Sequence, residues 1–262
     1  MMGGERAFAH VFLLRQLIWR DFQARYSGSL FGLVWSFVQP LWQLLLFSFV
    51  FSLVLRITAE GAGTKRFWVF LFCGLLPWLA VQEGISRGAT AITDNAHLVK
   101  KLRFPSEVLV ATVVVTALIH EAIAGVVFVL VLTTVGELSW RTLPWLLLAL
   151  PLQVTLTCGI GLLLATVQVF FRDTTQLLTM ALSAWFYLTP IVYPFSMVPI
   201  RLQPWLALNP LTGLVALYRA ALLGGGIQSA EGIASLAVSA AALLVAGWFL
   251  FRRVKPAFAD AI

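Results

Sequence analysis

Apolar residues in this chain gather into long unbroken runs, not the alternating or striped patterns of a water-soluble core. A helix crossing the hydrocarbon layer of a bilayer needs about 20 mostly apolar residues. Six stretches meet that length: Gly32–Leu55, Phe67–Ser86, Ser106–Val135, Leu143–Phe170, Thr175–Tyr193 and Gly232–Phe251. They predict an all-α integral membrane protein with six transmembrane helices and short connections. The third and fourth runs exceed one crossing, so they tilt or project into water.

Three segments between or before the runs carry a different pattern. In residues 5–26, Phe8, Val11, Phe12, Ile18, Trp19 and Phe22 fall on one helical arc and Arg6, Gln16, Arg20 and Gln23 opposite, with Arg15 alone breaking the apolar side. That is an amphipathic helix lying at a membrane surface. Residues 87–107 form a basic loop in which Thr93 or Asp94 can cap a short helix that ends in Lys100, Lys101 and Arg103. Acid at its start and base at its end suit the helix dipole, Pro105 stops it, and Leu98, Val99 and Leu102 give it an apolar side. Such a helix receives force from a soluble partner, or else the loop only fixes topology. In residues 194–226, Pro194, Pro199, Pro204 and Pro210 interrupt a stretch that stays apolar. Proline lacks the N–H a continuous helix needs, so two short helices dipping back into the outer leaflet fit, as does a loop packed on the bundle.

Composition sharpens this picture. The 262 residues are 60% hydrophobic and 11% charged, against about 25% charged in a soluble domain. A net charge of +7 raises nucleic acid as a partner, but the basic residues sit in short segments between apolar runs and build no basic domain. They act as topology signals. With the N-terminus inside, the inner segments hold Arg6, Arg15, Arg20, Arg25, Arg87, Lys100, Lys101, Arg103, Arg172, Arg252, Arg253 and Lys255, and the outer ones Arg56, Lys65, Arg66, Arg141, Arg201 and Arg219. Twelve against six places both termini in the cytoplasm, although Lys65 and Arg66 run against the trend. Cys73 and Cys158 lie inside apolar runs and read as small buried hydrophobes, with no metal site implied. No cleavable signal peptide is expected.

Five stretches carry a resemblance. They are W-R-D-F-Q-A-R-Y-S-G-S-L-F-G-L-V-W-S-F-V-Q-P (Trp19–Pro40), F-C-G-L-L-P-W (Phe72–Trp78), N-A-H-L-V-K-K-L-R-F-P-S-E (Asn95–Glu107), F-F-R-D (Phe170–Asp173) with T-P-I-V-Y-P (Thr189–Pro194), and L-N-P-L-T-G-L (Leu208–Leu214). In this order they resemble the permease subunits of bacterial ABC-2 type exporters of O-antigen, capsular polysaccharide and teichoic acid. The resemblance implies a homodimer in the bacterial cytoplasmic membrane that docks two separate nucleotide-binding ATPase subunits and passes a lipid-linked polysaccharide. ATP and Mg would be cofactors of the partner, and none belongs to this chain. Indeed no G-x-x-x-x-G-K-[ST] phosphate loop occurs.

By that resemblance residues 1–31 form a cytoplasmic interface helix and residues 32–262 one transmembrane domain. Within the latter lie a coupling helix at about 94–105 and a periplasmic re-entrant gate at about 194–226. The ATPase would meet Arg20, Asp21, Arg25 and Tyr26, together with Asn95, His97, Leu98, Val99, Lys100, Lys101 and Phe104. Pro194, Asn209 and Pro210 would belong to the gate.

A sliding polymer of hydroxyls and flat ring faces suits aromatic walls. Trp35, Phe37, Trp42, Trp185, Tyr187 and Tyr193 are the candidate channel-lining residues, with the interfacial aromatic belt as the alternative. His120 and Glu121 stand near the middle of the third run. Ionisable groups at that depth face a bundle interior or water, so they form either a proton site or a hydrogen bond between helices. Glu83, near the end of the second run, is expected at the interface. Rival functions are an exporter of teichoic acid, capsule or a small hydrophobic drug or lipid, a membrane transferase, and a proton-driven carrier. The transferase would need clustered acids, whereas the acidic residues here are scattered with no D-x-D pair.

Overall fold

The structure is a computed structural model that describes residues 12–23, 34–54, 64, 66–101, 105–224 and 230–261. Every regular element among them is helical. A helix α1 (residues 12–23) leads to α2 (Trp35–Phe47), which continues as a π-helical stretch, Ser48–Val54. Then come α3 (Phe67–Asp94), α4 (Ala96–Lys101), α5 (Glu107–Val135) and α6 (Leu146–Phe170). The chain closes with α7 (Thr174–Leu188), α8 (Gln203–Leu208), α9 (Pro210–Leu223), α10 (Ala230–Val254) and α11 (Phe258–Ala261).

Among the described residues four helices are long and apolar enough to cross a membrane: Phe67–Asp94, Glu107–Val135, Leu143–Phe170 and Glu231–Ala257. At about 1.5 Å per residue each exceeds the hydrocarbon thickness. α3 is the spine. Its first turns are buried all round, from Phe67 through Phe72 to Leu76, because α5, α6 and α9 pack against different sides of it. α6 and α10 pack closely along their length. A Cβ on Gly159 would stand 2.5 Å from the Leu244 amide nitrogen, and one on Gly247 would stand 2.5 Å from the Gly159 carbonyl oxygen. Backbone meets backbone there, as small residues allow in membrane bundles.

Two of the six apolar runs take a different form. The run Thr175–Tyr193 yields only the 15-residue α7. It stops at Leu188 because Pro190 and Pro194 follow and because the carbonyls of Pro190 and Ile191 accept hydrogen bonds from Arg219 at 2.8 Å each. The run Gly32–Leu55 becomes α2 and its π extension, whose outward face exposes Trp35, Leu41, Trp42 and Leu45. Of α2, Leu44 is buried. The segment after α7 does fold into two helices, α8 and α9. α9 runs inside the bundle between α3 and α10, with Leu211, Leu214 and Leu217 fully buried.

Other expectations change in detail. Thr93 and Asp94 do not cap the loop helix. They are the last residues of α3, and Asn95 takes the cap position before α4 begins at Ala96. Arg219 is no outer-loop cation: it lies in α9 with its guanidinium 3.5 Å over the Phe70 ring. Glu83 lies within α3, which continues to Asp94, and its carboxylate sits between Arg87 and His120.

Candidate functional site

One end of the bundle gathers the described parts of α1 and α4, the two elements that the resemblance assigns to an ATPase interface. Leu17 of α1, Ala91 and Ile92 of α3, Leu109 of α5, Val169 of α6, Phe251 of α10 and Phe258 of α11 form a single buried cluster. Leu98 and Val99 of α4 pack against its side. Thus the apolar side of α4 faces its own bundle, and Asp94, His97 and Lys100 are left exposed on the outer side. α1 turns Leu13 and Leu17 inward, while Phe12 and Trp19, placed on its apolar arc, remain 57% and 58% exposed. The helix therefore has two apolar directions, one toward the bundle and one away from it.

α1 and the α3–α4 break are joined directly. Arg20 Nη2 donates to Asn95 Oδ1 at 3.1 Å, and Asn95 in turn donates to the Ala91 carbonyl at 3.0 Å. Arg25, Tyr26 and Phe104 lie outside the described residues, and of Lys101 only the backbone is described. At the same end Lys255 Nζ donates to Glu107 Oε2 at 2.8 Å, which fixes the last turns of α10 to the start of α5.

From α1 a line of ionisable groups leads into the bundle. Asp21 accepts from Arg87 Nη2, and Arg87 Nη1 donates to Glu83 at 3.2 Å. Glu83 Oε1 lies 3.1 Å from His120 Nδ1, and the His120 ring stacks on Phe22 with centroids 5.6 Å apart. An ionised carboxylate only accepts, so Nδ1 carries the imidazole proton. The next residue, Glu121, belongs to a separate buried triad. Gln153 Nε2 donates to Glu121 Oε2 at 2.6 Å, and the Tyr218 hydroxyl donates to Gln153 Oε1 at 2.6 Å. Glu121 is thus the inter-helix hydrogen bond that its depth suggested, with α5, α6 and α9 tied at one point.

Gln153 and Tyr218 were not singled out by sequence, and Glu83 and Arg87 were read only as an interfacial acid and an inner-side cation. Glu83 and Arg87 had one usable signal, an E-x-x-x-R spacing that puts both on one helix face. Gln153 and Tyr218 had none, because a single polar residue in an apolar run does not reveal its partner.

The aromatic candidates divide. Trp35, Phe37, Trp42 and Tyr187 present large exposed faces. Trp185 is half-buried, edge-on to Trp78, and its indole N–H donates to Asn209 Oδ1 at 2.9 Å. Tyr193 donates its hydroxyl to the Tyr187 carbonyl at 3.0 Å. Asn209 caps α9: Oδ1 accepts from the Leu211 amide at 3.1 Å, Nδ2 donates to Thr189 Oγ1 at 3.0 Å, and Pro210 occupies the first helical position. Pro194 leads into the short 3-10 turn Phe195–Met197. These three residues therefore meet or flank the junction between α7 and α9.

Comparison with known proteins covers the same elements. The family described as "ABC-2 type transporter" matches residues 13–223. The chain is 32% identical over 256 residues to the O-antigen export system permease protein RfbA of Myxococcus xanthus, a match covering 95% of each chain. It is 29% identical to a protein of the same name from Klebsiella pneumoniae, over 92% of this chain and 91% of that one. It is 26% identical to the polysialic acid transport protein KpsM of Escherichia coli, over 90% and 91%.

Proposed function

The chain belongs to the ABC-2 type transporter membrane family, and on that premise we propose that it is the channel-forming permease subunit of an ATP-driven polysaccharide exporter in the bacterial cytoplasmic membrane. The observation that carries this reading is the near-full-length similarity to permeases named for O-antigen and polysialic acid export. The cargo is a lipid-linked polysaccharide resembling O-antigen.

Several features support the finer parts of the proposal. The described end that joins α1, α4 and α11 also carries Arg20, Arg87, Lys100, Arg172, Arg252 and Lys255, the basic bias of a cytoplasmic face. Two ATPase subunits would dock there, on α1 and the outer side of α4. α2 and α7 bury little against the rest of the chain and expose Trp42, Leu45, Leu177 and Met180. Lipid and a second copy of this chain would cover them, so the homodimer places both helices beside the pore. With α2 and α7 counted, the chain crosses the bilayer six times. α8 and α9 then dip into the outer leaflet as the gate, held by Asn209 and Arg219.

The test is co-expression with the adjacent ATPase gene in a host lacking its own permease, followed by native mass spectrometry and a polysaccharide export assay. A complex of two permeases and two ATPases that restores export is expected. A folded permease that recruits no ATPase and restores nothing would overturn the reading.

A further inference from the structure

α10 buries one side and shows the other. Gly232, Leu236, Ala240, Gly247 and Phe251 are buried toward the bundle, while Val238, Ala241, Val245, Trp248 and Phe249 are exposed. Between Glu231 at one end and Arg252 at the other the helix carries no charge. The 21 steps from Glu231 to Arg252 rise about 32 Å at 1.5 Å per residue, close to a hydrocarbon core of about 30 Å. The exposed stripe therefore faces acyl chains along its length. Arg252 and Arg253 continue that stripe and emerge at headgroup level, on the lipid side of the helix and not the bundle side. Trp248, one turn earlier, sits at the boundary where indole rings gather.

Arg252 is held in place there. Its guanidinium carbon lies 4.2 Å over the Trp248 ring, and its Nε lies 3.7 Å from Glu107 Oε1. These contacts use the guanidinium face and Nε. Among the described residues its two terminal nitrogens take no hydrogen bond, on a side chain 61% exposed. Glu107 gives its other oxygen to Lys255 at 2.8 Å, so one carboxylate is shared by two cations. Arg253 is exposed and has no carboxylate within ion-pair distance among the described residues. A planar guanidinium with a free fork is matched to phosphate oxygens, which it can hold through two bonds. A zwitterionic lipid brings its own ammonium to this cluster, whereas an anionic lipid brings acceptors alone. α10 packs chiefly on α6 and α9, so its outer stripe meets bulk lipid and not the path proposed for the cargo beside α2 and α7.

We propose that the lipid-facing side of α10 ends in a site for an anionic glycerophospholipid, its phosphate on Arg252 and Arg253 and an acyl chain along Phe249 and Val245. The proposal rests on α10 and does not depend on the export reading.

The test is native mass spectrometry of the full chain in detergent, titrated with dioleoylphosphatidylglycerol and, separately, with dioleoylphosphatidylcholine. The anionic lipid should bind at least tenfold tighter. Arg252→Gln with Arg253→Gln should erase that preference. Arg253→Gln alone, which breaks no described contact, should reduce it threefold or more, and so should Trp248→Leu, which stays apolar but removes the ring under Arg252. Arg141→Gln with Arg201→Gln takes two exposed arginines from elsewhere and should leave the preference intact. Equal affinity for the two lipids, or equal loss in the two double variants, overturns the proposal. So does displacement of the lipid by excess inorganic phosphate, which would leave a bare anion site. Tighter binding of undecaprenyl phosphate would overturn it in favour of a cargo carrier. ATPase co-purification lost in Arg252→Gln with Arg253→Gln, with the lipid preference unchanged, would make the patch a protein interface instead.

Discussion

Arg20 and Asn95 stand 75 positions apart in sequence, yet the Arg20 guanidinium donates to the Asn95 side-chain oxygen at 3.1 Å. The bond joins α1 to the point where α3 gives way to α4. Both elements belong to the surface proposed for the ATPase, so a push on either one reaches the other without passing through the membrane core.

Arg20→Ala and Asn95→Ala should therefore each lower export per ATP hydrolysed, and the double variant should do no worse than either single one. Two residues acting through one bond give this non-additive result. The check is export and ATPase turnover measured on the same reconstituted samples.

His97 and Lys100 face outward from α4 while Leu98 packs inward. His97→Glu should weaken ATPase co-purification by tenfold or more and leave the permease as stable as before. Leu98→Asp should instead destabilise the permease itself, by about 2 kcal/mol or more. Thermal unfolding of the permease, set beside pull-down of the ATPase, separates the two effects.

Arg219 serves the carbonyls of Pro190, Ile191 and Phe70. Arg219→Ala leaves these acceptors without a donor and should cost about 2–4 kcal/mol. Arg219→Lys should recover less than half, since one ammonium cannot reproduce the guanidinium fork. Unfolding curves in nanodiscs give the comparison.

Gly159→Val should prevent a monodisperse protein from forming, because the new Cβ would meet the Leu243–Leu244 backbone inside van der Waals distance. The penalty is roughly 3 kcal/mol or more. Gly125→Ala is the matched control: its nearest neighbour would be Leu76 Cδ2 at 3.7 Å, an ordinary contact. Size-exclusion chromatography of both variants decides.

Tyr218→Phe removes the donor to Gln153 and should cost about 1–2 kcal/mol, whereas Gln153→Leu strips Glu121 of its described donor and should cost more. Parallel thermal unfolding of the two variants ranks them.

Hydropathy located α3, α5, α6 and α10 to within a few residues, except that α3 runs on from Ser86 to Asp94. That extension is polar enough to lower a window average, yet Gly88, Ala89, Ala91 and Ile92 are buried in the cluster at that end. The fate of α7 was hidden because its early end depends on Arg219, 29 residues beyond Pro190. On α1 the arc built from Phe12 and Trp19 missed Leu17, the residue that enters the core. Periodicity finds an apolar side but cannot say whether protein or lipid covers it. For the site, the proline-rich stretch and the α4 loop were visible because they break a pattern. The line from Asp21 to His120 was not, since it is assembled from three helices.

The glycine contact between α6 and α10 also bears on how the molecule can move. At Gly159 and Gly247 the two helices meet backbone to backbone, with no side-chain layer at that point to slide or re-seat, so they should travel as one unit with α3 and α9 held against it. On the proposed export reading, displacements in a working cycle should then fall to α2 and α7, swinging as doors against a fixed frame.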